Sequence, residues 1–166
     1  TVDGVPYGVP MVMARWVALY DKRVFDELGL SEPGSWDELM ETAAAIKASG
    51  RTPFLATTQE GWRGFIWFQE LMLRTNPEAY LGLHDGSVPY DSDAVRAAFQ
   101  MWADMAESGW FSDPRSVEEV NDFVRGNGVI YLIGEWATGL VTSAGFPEEH
   151  LGVFIMPNAA GVEEPS

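Results

Sequence analysis

Residues 126–136, GNGVIYLIGEW, hold an unbroken apolar run from Val129 to Ile133 between two small polar corners. A run this short and this apolar, closed at each end by turn residues, reads as a buried strand. Its second corner bears on function, because Glu135 and Trp136 set a carboxylate beside a large aromatic at the strand's lip. Such a pair can grip something amphipathic, or the indole can plug the end of a core. Spacing alone leaves both readings open.

The rest of the chain alternates strand and helix signals. ARWVALY (14–20) is rich in strand formers. DKRVFDELGL predicts a short helix from Asp21, with Val24, Phe25 and Leu28 on one face and Gly29 as its stop. In SWDELMETAAAIKASG, Ser35 and Glu38 form a capping box, and Leu39, Ala43 and Ile46 follow at helical spacing up to Gly50. TPFLATT (52–58) predicts a short buried strand. Gly64 to Thr75 predicts a helix with Phe65, Phe68, Leu71 and Met72 inward. Residues 76–90 mix Asn, Pro, Gly and Asp and read as loop with at most a turn of helix. DSDAVRAAFQMWADMAESG predicts a long helix burying Val95, Phe99, Trp102 and Met105 or Ala106. SVEEVNDFVRG repeats the capping box at Ser116 and Glu119, and LGVFIMP closes the series as a strand. The alternation predicts a single α/β domain, a central mixed sheet flanked by helices, over all 166 residues.

Charge and composition then remove whole classes of function. A net charge of −15 excludes general nucleic-acid binding and adsorption to an anionic membrane, both of which need a basic face. The chain has no cysteine, so disulfides, thiolate metal sites and cysteine nucleophiles are excluded. No apolar run approaches the roughly 20 residues of a membrane span, and no signal-peptide pattern opens the chain. His84 and His150 offer no ligand spacing, so neither a metal site nor a cofactor is expected. The glycines of GNGVIYLIG precede their strand, the wrong side for a phosphate cradle.

Seven Trp, five Tyr and nine Phe are the strongest compositional signal, and most of them belong to the core. Trp102 and Trp36 are expected to pack. Trp62 differs, because in QEGWRG it lies on a loop between Gly61 and Gly64. Glu60, Trp62 and Arg63 therefore repeat the chemistry of Glu135 and Trp136. Sugars stack their C–H faces on indoles and bridge carboxylates and guanidinium groups with their hydroxyls. Three rivals stand beside a sugar cleft: Glu60 and Glu135 as the acid/base pair of a glycoside-active enzyme, a ligand-free interaction module, and a site for a polyamine.

DGVPYGVP (3–10), LYDKRVFDELGL (19–30) with SWDEL (35–39), FVRGNGVIYLIGEW (123–136) and LGVFIMPN (151–158) together resemble one family. It is the extracytoplasmic solute-binding proteins of ABC importers, in the sugar-binding branch that includes maltose-binding protein. The resemblance implies a non-enzymatic protein with a type II periplasmic-binding-protein-like fold, two α/β lobes closing on a ligand between them. Residues 1–166 are expected to be the second lobe, with hinge crossings near 5–10 and 154–158 and the first lobe outside the sequence. It further implies an ABC permease partner, a carbohydrate ligand, and a location in the periplasm or on the outer face of the cell membrane. Carried over residue by residue, Ala14, Arg15 and Trp16, then Glu60 and Trp62, then Trp136 face the cleft. Ala14 and Arg15 stand where maltose-binding protein has an acidic residue, which turns the expectation from maltose towards other oligosaccharides.

Overall fold

The computed structural model describes residues 5, 7–9, 11–56, 58–59, 61 and 63–162. At its centre lies β1 (Trp16–Asp21), antiparallel to β2 (Ile130–Gly134) on one side and to β3 (Leu151–Phe154) on the other. The register sets Trp16 opposite Gly134 and Tyr20 opposite Ile130, with Ala18 opposite Phe154. As the central strand, β1 is covered on both faces, and Val17 to Tyr20 are all buried. The Val129–Ile133 run is likewise buried throughout, as its composition predicts.

TPFLATT pairs as expected but more briefly. Phe54 makes single parallel bridges to Ile130 and to Phe111. Around it, the Ile130 N–H donates to the Pro53 carbonyl at 2.8 Å and the Leu55 N–H to the Ile130 carbonyl at 2.9 Å. Pro53 has no N–H of its own, so the ladder cannot lengthen through it. These bridges widen the sheet past β2 and make it mixed. They also sort its ends: residues 54–56, Phe111 and β2 run the same way and β1 runs against them. The start of β1, the end of β2 and the segments after Ala56 and Phe111 therefore share one edge of the sheet.

Helix α1 (Lys22–Leu28) starts where Asp21 accepts the Arg23 N–H at 2.9 Å and stops at Gly29, whose φ is +66°. In α2 (Trp36–Ala48), Ser35 Oγ accepts the Glu38 N–H as predicted, while the Glu38 carboxylate reaches one residue further back, to the Gly34 N–H at 2.7 Å. Leu39, Ala43 and Ile46 are fully buried, and Trp36 packs into the core.

Helix α3 (Gly64–Thr75) has the expected bounds but a rotated inner face. Trp67 takes the centre, edge-on between Phe54 and Phe111 at centroid distances of 5.2 and 4.9 Å, and it turns Phe65 outward to 45% exposure. The stretch expected to be loop contains α4 (Pro77–Asp85). Asn76 caps it by accepting the Ala79 N–H at 3.0 Å, Pro77 fills a first position that needs no N–H, and Gly86 ends it at φ +82°.

Helix α5 (Asp93–Glu107) buries Val95, Ala98 and Met105; Phe99 is exposed and stacks on Phe68 of α3 at 5.1 Å, and Trp102 is half-buried. The second capping box does not form. Helix α6 (Glu119–Arg125) begins after Glu118, and Ser116 instead donates a short hydrogen bond to the Asp122 carboxylate. Helix α7 (Ala137–Ser143) follows β2, and one 3-10 turn at Glu148–His150 leads into β3.

Candidate functional site

The sheet edge that collects the strand ends carries an aromatic lip. Trp16 opens β1 and is half-buried. Its Nε1–H donates to Gln69 Oε1 at 3.0 Å, which fixes the indole against α3. Two further rings meet it edge-on: Trp136 at a centroid distance of 5.4 Å and Phe65 at 5.8 Å. Trp136 is 43% exposed, so a large part of its face is open.

The Gly-x-Trp corner owes its shape to Gly134. A Cβ built there would lie 1.7 Å from Cζ3 of Trp136, so the indole folds back across the glycine and only hydrogen fits beneath it. The corner is tied to its neighbour by the backbone as well. The Glu135 N–H donates to the Arg15 carbonyl at 3.0 Å, and the Glu135 carbonyl accepts the Thr138 hydroxyl at 2.9 Å. The side chains of Glu135 and Arg15 are both exposed at this edge.

Arg63 has a structural task that the sequence does not reveal. It pairs with the carboxylate of Glu119, which is 3% exposed on α6, and so anchors the segment before α3 to that helix. This pair explains why Glu119 does not serve a capping box. Glu60 and Trp62 lie outside the described residues. The structure thus brings together Trp16, Trp136, Glu135 and Arg15, commits Arg63 to Glu119, and adds Phe65, Gln69 and Gly134. Phe65 and Gln69 are hidden from a sequence reading because each acts through a contact with Trp16, far from it in the chain, whereas Gly134 belongs to the Gly-x-Trp corner itself.

Beside the lip, an apolar cavity of about 280 Å³ lies between Thr58, Trp67, Trp102, Phe111 and Pro114. Among the described residues, no group of three or more His, Cys, Asp or Glu side chains is placed to hold a metal ion, and no helix is long and apolar enough to cross a membrane. His84 packs edge-on against Tyr80.

The chain is similar to known proteins in sequence and in fold. The family model for bacterial extracellular solute-binding proteins matches residues 1–163. An uncharacterized ABC transporter extracellular-binding protein of Pyrococcus horikoshii is 28% identical over 147 residues, 85% of this chain and 35% of that protein. The sn-glycerol-3-phosphate-binding periplasmic protein UgpB of Brucella abortus is 30% identical over 116 residues, 66% of this chain and 27% of the relative. A solved chitin oligosaccharide binding protein superposes with a TM-score of 0.81 at 29% identity, over 97% of this chain and 42% of that one. The chain therefore spans well under half the length of each of these relatives.

Proposed function

Because the chain belongs to the bacterial extracellular solute-binding proteins, we propose that it is one lobe of an ABC-importer binding protein whose ligand is a carbohydrate held at the aromatic lip. Members of the family are binding proteins and not enzymes, they work outside the cytoplasm, and the fold is that of periplasmic binding proteins.

One observation carries the ligand class. Trp136 presents an open indole face beside the exposed carboxylate of Glu135, at the edge where the strand ends gather. A pyranose matches both features, with C–H groups for the ring and hydroxyls for the charge. Arg15 supplies the cationic donor, since Arg63 is engaged by Glu119. We assign Glu60 and Trp62 to the same ligand in this reading.

Residues 1–166 form the second lobe, with crossings near 5–10 and 154–158, and the remainder of the protein supplies the opposing wall and meets the permease. The apolar side chains of Tyr7, Val9, Met11, Val12 and Met13, each at least 79% exposed, support a segment that another part of the protein covers.

The test is calorimetric titration of the complete protein with galactose, raffinose, mannobiose, chitin oligosaccharides, spermidine and sn-glycerol 3-phosphate. One class of sugar is expected to bind, and Trp136→Ala is expected to weaken it by about 1.5–3 kcal/mol, the worth of a buried large side chain. An unchanged affinity in that variant refutes the site. Binding of sn-glycerol 3-phosphate alone assigns Arg15 to a phosphate instead, the reading favoured by the likeness to UgpB.

A further inference from the structure

We propose that Phe65 is a second ligand-facing ring of the lip, that Trp16 is its buttress, and that the cleft accordingly takes at least two linked sugar units. The inference rests on the carbohydrate reading above and deepens it.

Phe65 stands in the first turn of α3, a helix whose inner face is already filled by Ile66, Trp67, Leu71 and Met72. Its ring is 45% exposed, close to the 43% of Trp136. Trp16 lies between them in contact terms, because each of the two rings meets it edge-on and no ring pair among the described residues joins them to each other. The Trp16 indole is itself half-buried and held through Nε1 by Gln69. Its two ring contacts and its hydrogen bond hold it in place, which leaves Phe65 and Trp136 as the exposed rings. A pyranose stacks flat on one ring at a time. Two separate faces braced on one pillar therefore suit consecutive residues of a chain and not one monosaccharide.

This division of labour makes Gln69 a positioning residue that acts through Trp16. Losing the acceptor at residue 69 frees the indole and loosens both rings; a carboxylate there restores an acceptor to it.

The test uses the complete protein, the same sugar panel and the variants Phe65→Ala, Gln69→Leu, Gln69→Glu and Trp136→Ala. Phe65→Ala is expected to weaken the best oligosaccharide about tenfold, as befits one aromatic stacking contact, and to leave its component monosaccharide unchanged. Gln69→Leu is expected to weaken the oligosaccharide and its component monosaccharide together and to shift the tryptophan emission, and Gln69→Glu to retain wild-type affinity. If Trp136→Ala abolishes sugar binding while Phe65→Ala alters nothing, the inference fails and the sugar reading survives. Equal losses for mono- and oligosaccharide in Phe65→Ala also overturn it. If no sugar of the panel binds, both fall together.

Discussion

Gly134 shows how one missing side chain organises a site. Gly134→Ala leaves the β2 backbone able to pair, because its φ is not in the left-handed region, but the new methyl occupies the space of the Trp136 ring. The expected outcome is a folded protein with a displaced indole, visible as a changed tryptophan emission, and with sugar affinity reduced as far as in Trp136→Ala. A second residue-scale prediction concerns the Arg63–Glu119 pair. Glu119→Ala removes the buried carboxylate paired with a guanidinium that is only 20% exposed and is expected to lower stability in urea unfolding. The double variant Arg63→Met with Glu119→Leu is expected to recover most of that loss, since the charge that needed a partner is gone too. Glu70 gives the pH counterpart. Burial raises its carboxyl above the ordinary value, against the opposing pull of Arg74 at 3.0 Å. The folded state therefore holds this proton more tightly than the unfolded one. That contribution is fully present below the unfolded pKa and is lost as pH rises through the folded pKa. Relative to Glu70→Gln, the wild-type protein is expected to gain stability as pH falls from about 7 towards about 4. Urea midpoints of the two proteins at both pH values check the sign.

At the scale of elements, local signals are legible wherever they act alone. Ser35 caps α2 and Asp21 caps α1, because an oxygen near the first free N–H groups needs no distant partner. The same grammar opens α4, where Asn76, Pro77 and Gly86 mark a start and a stop inside a stretch whose composition reads as loop. Its polar residues hide those marks. Asn76→Ala is expected to cost about 1 kcal/mol, measured as a lowered thermal midpoint, in proof that this cap is used. Two expectations fail for one common reason. Phe65 and Phe99 sit at helical spacing with buried neighbours, yet both face out, because Trp67 and Ala98 take the inner positions through contacts the helix itself does not encode. Ser116 and Glu119 have capping-box spacing, but Asp122 and Arg63 claim their side chains. The lip is legible in part. Trp136 and Glu135 announce themselves after a strand, whereas Phe65 and Gln69 belong to the site only because α3 passes the start of β1.

The described residues gather one core behind the edge that carries the aromatic lip. The chain's net charge of −15 discourages self-association in general, yet Tyr7, Val9, Met11, Val12 and Met13 present apolar side chains to solvent. Residues 1–166 produced by themselves are expected to bind the best sugar far more weakly than the complete protein, in the millimolar range by saturation-transfer NMR, because one wall gives only part of the contacts. Equal affinity for the isolated chain and the complete protein would overturn the two-wall reading.

The edge-on contact of Trp16 with Trp136, at 5.4 Å, has an optical consequence. Two indoles this close couple their strong transitions and are expected to give a paired band of opposite signs in far-ultraviolet circular dichroism. One partner is clamped by Gln69 and the other is open to whatever enters. A ligand bound at the lip as proposed is expected to change that band, so a titration can be followed without any label.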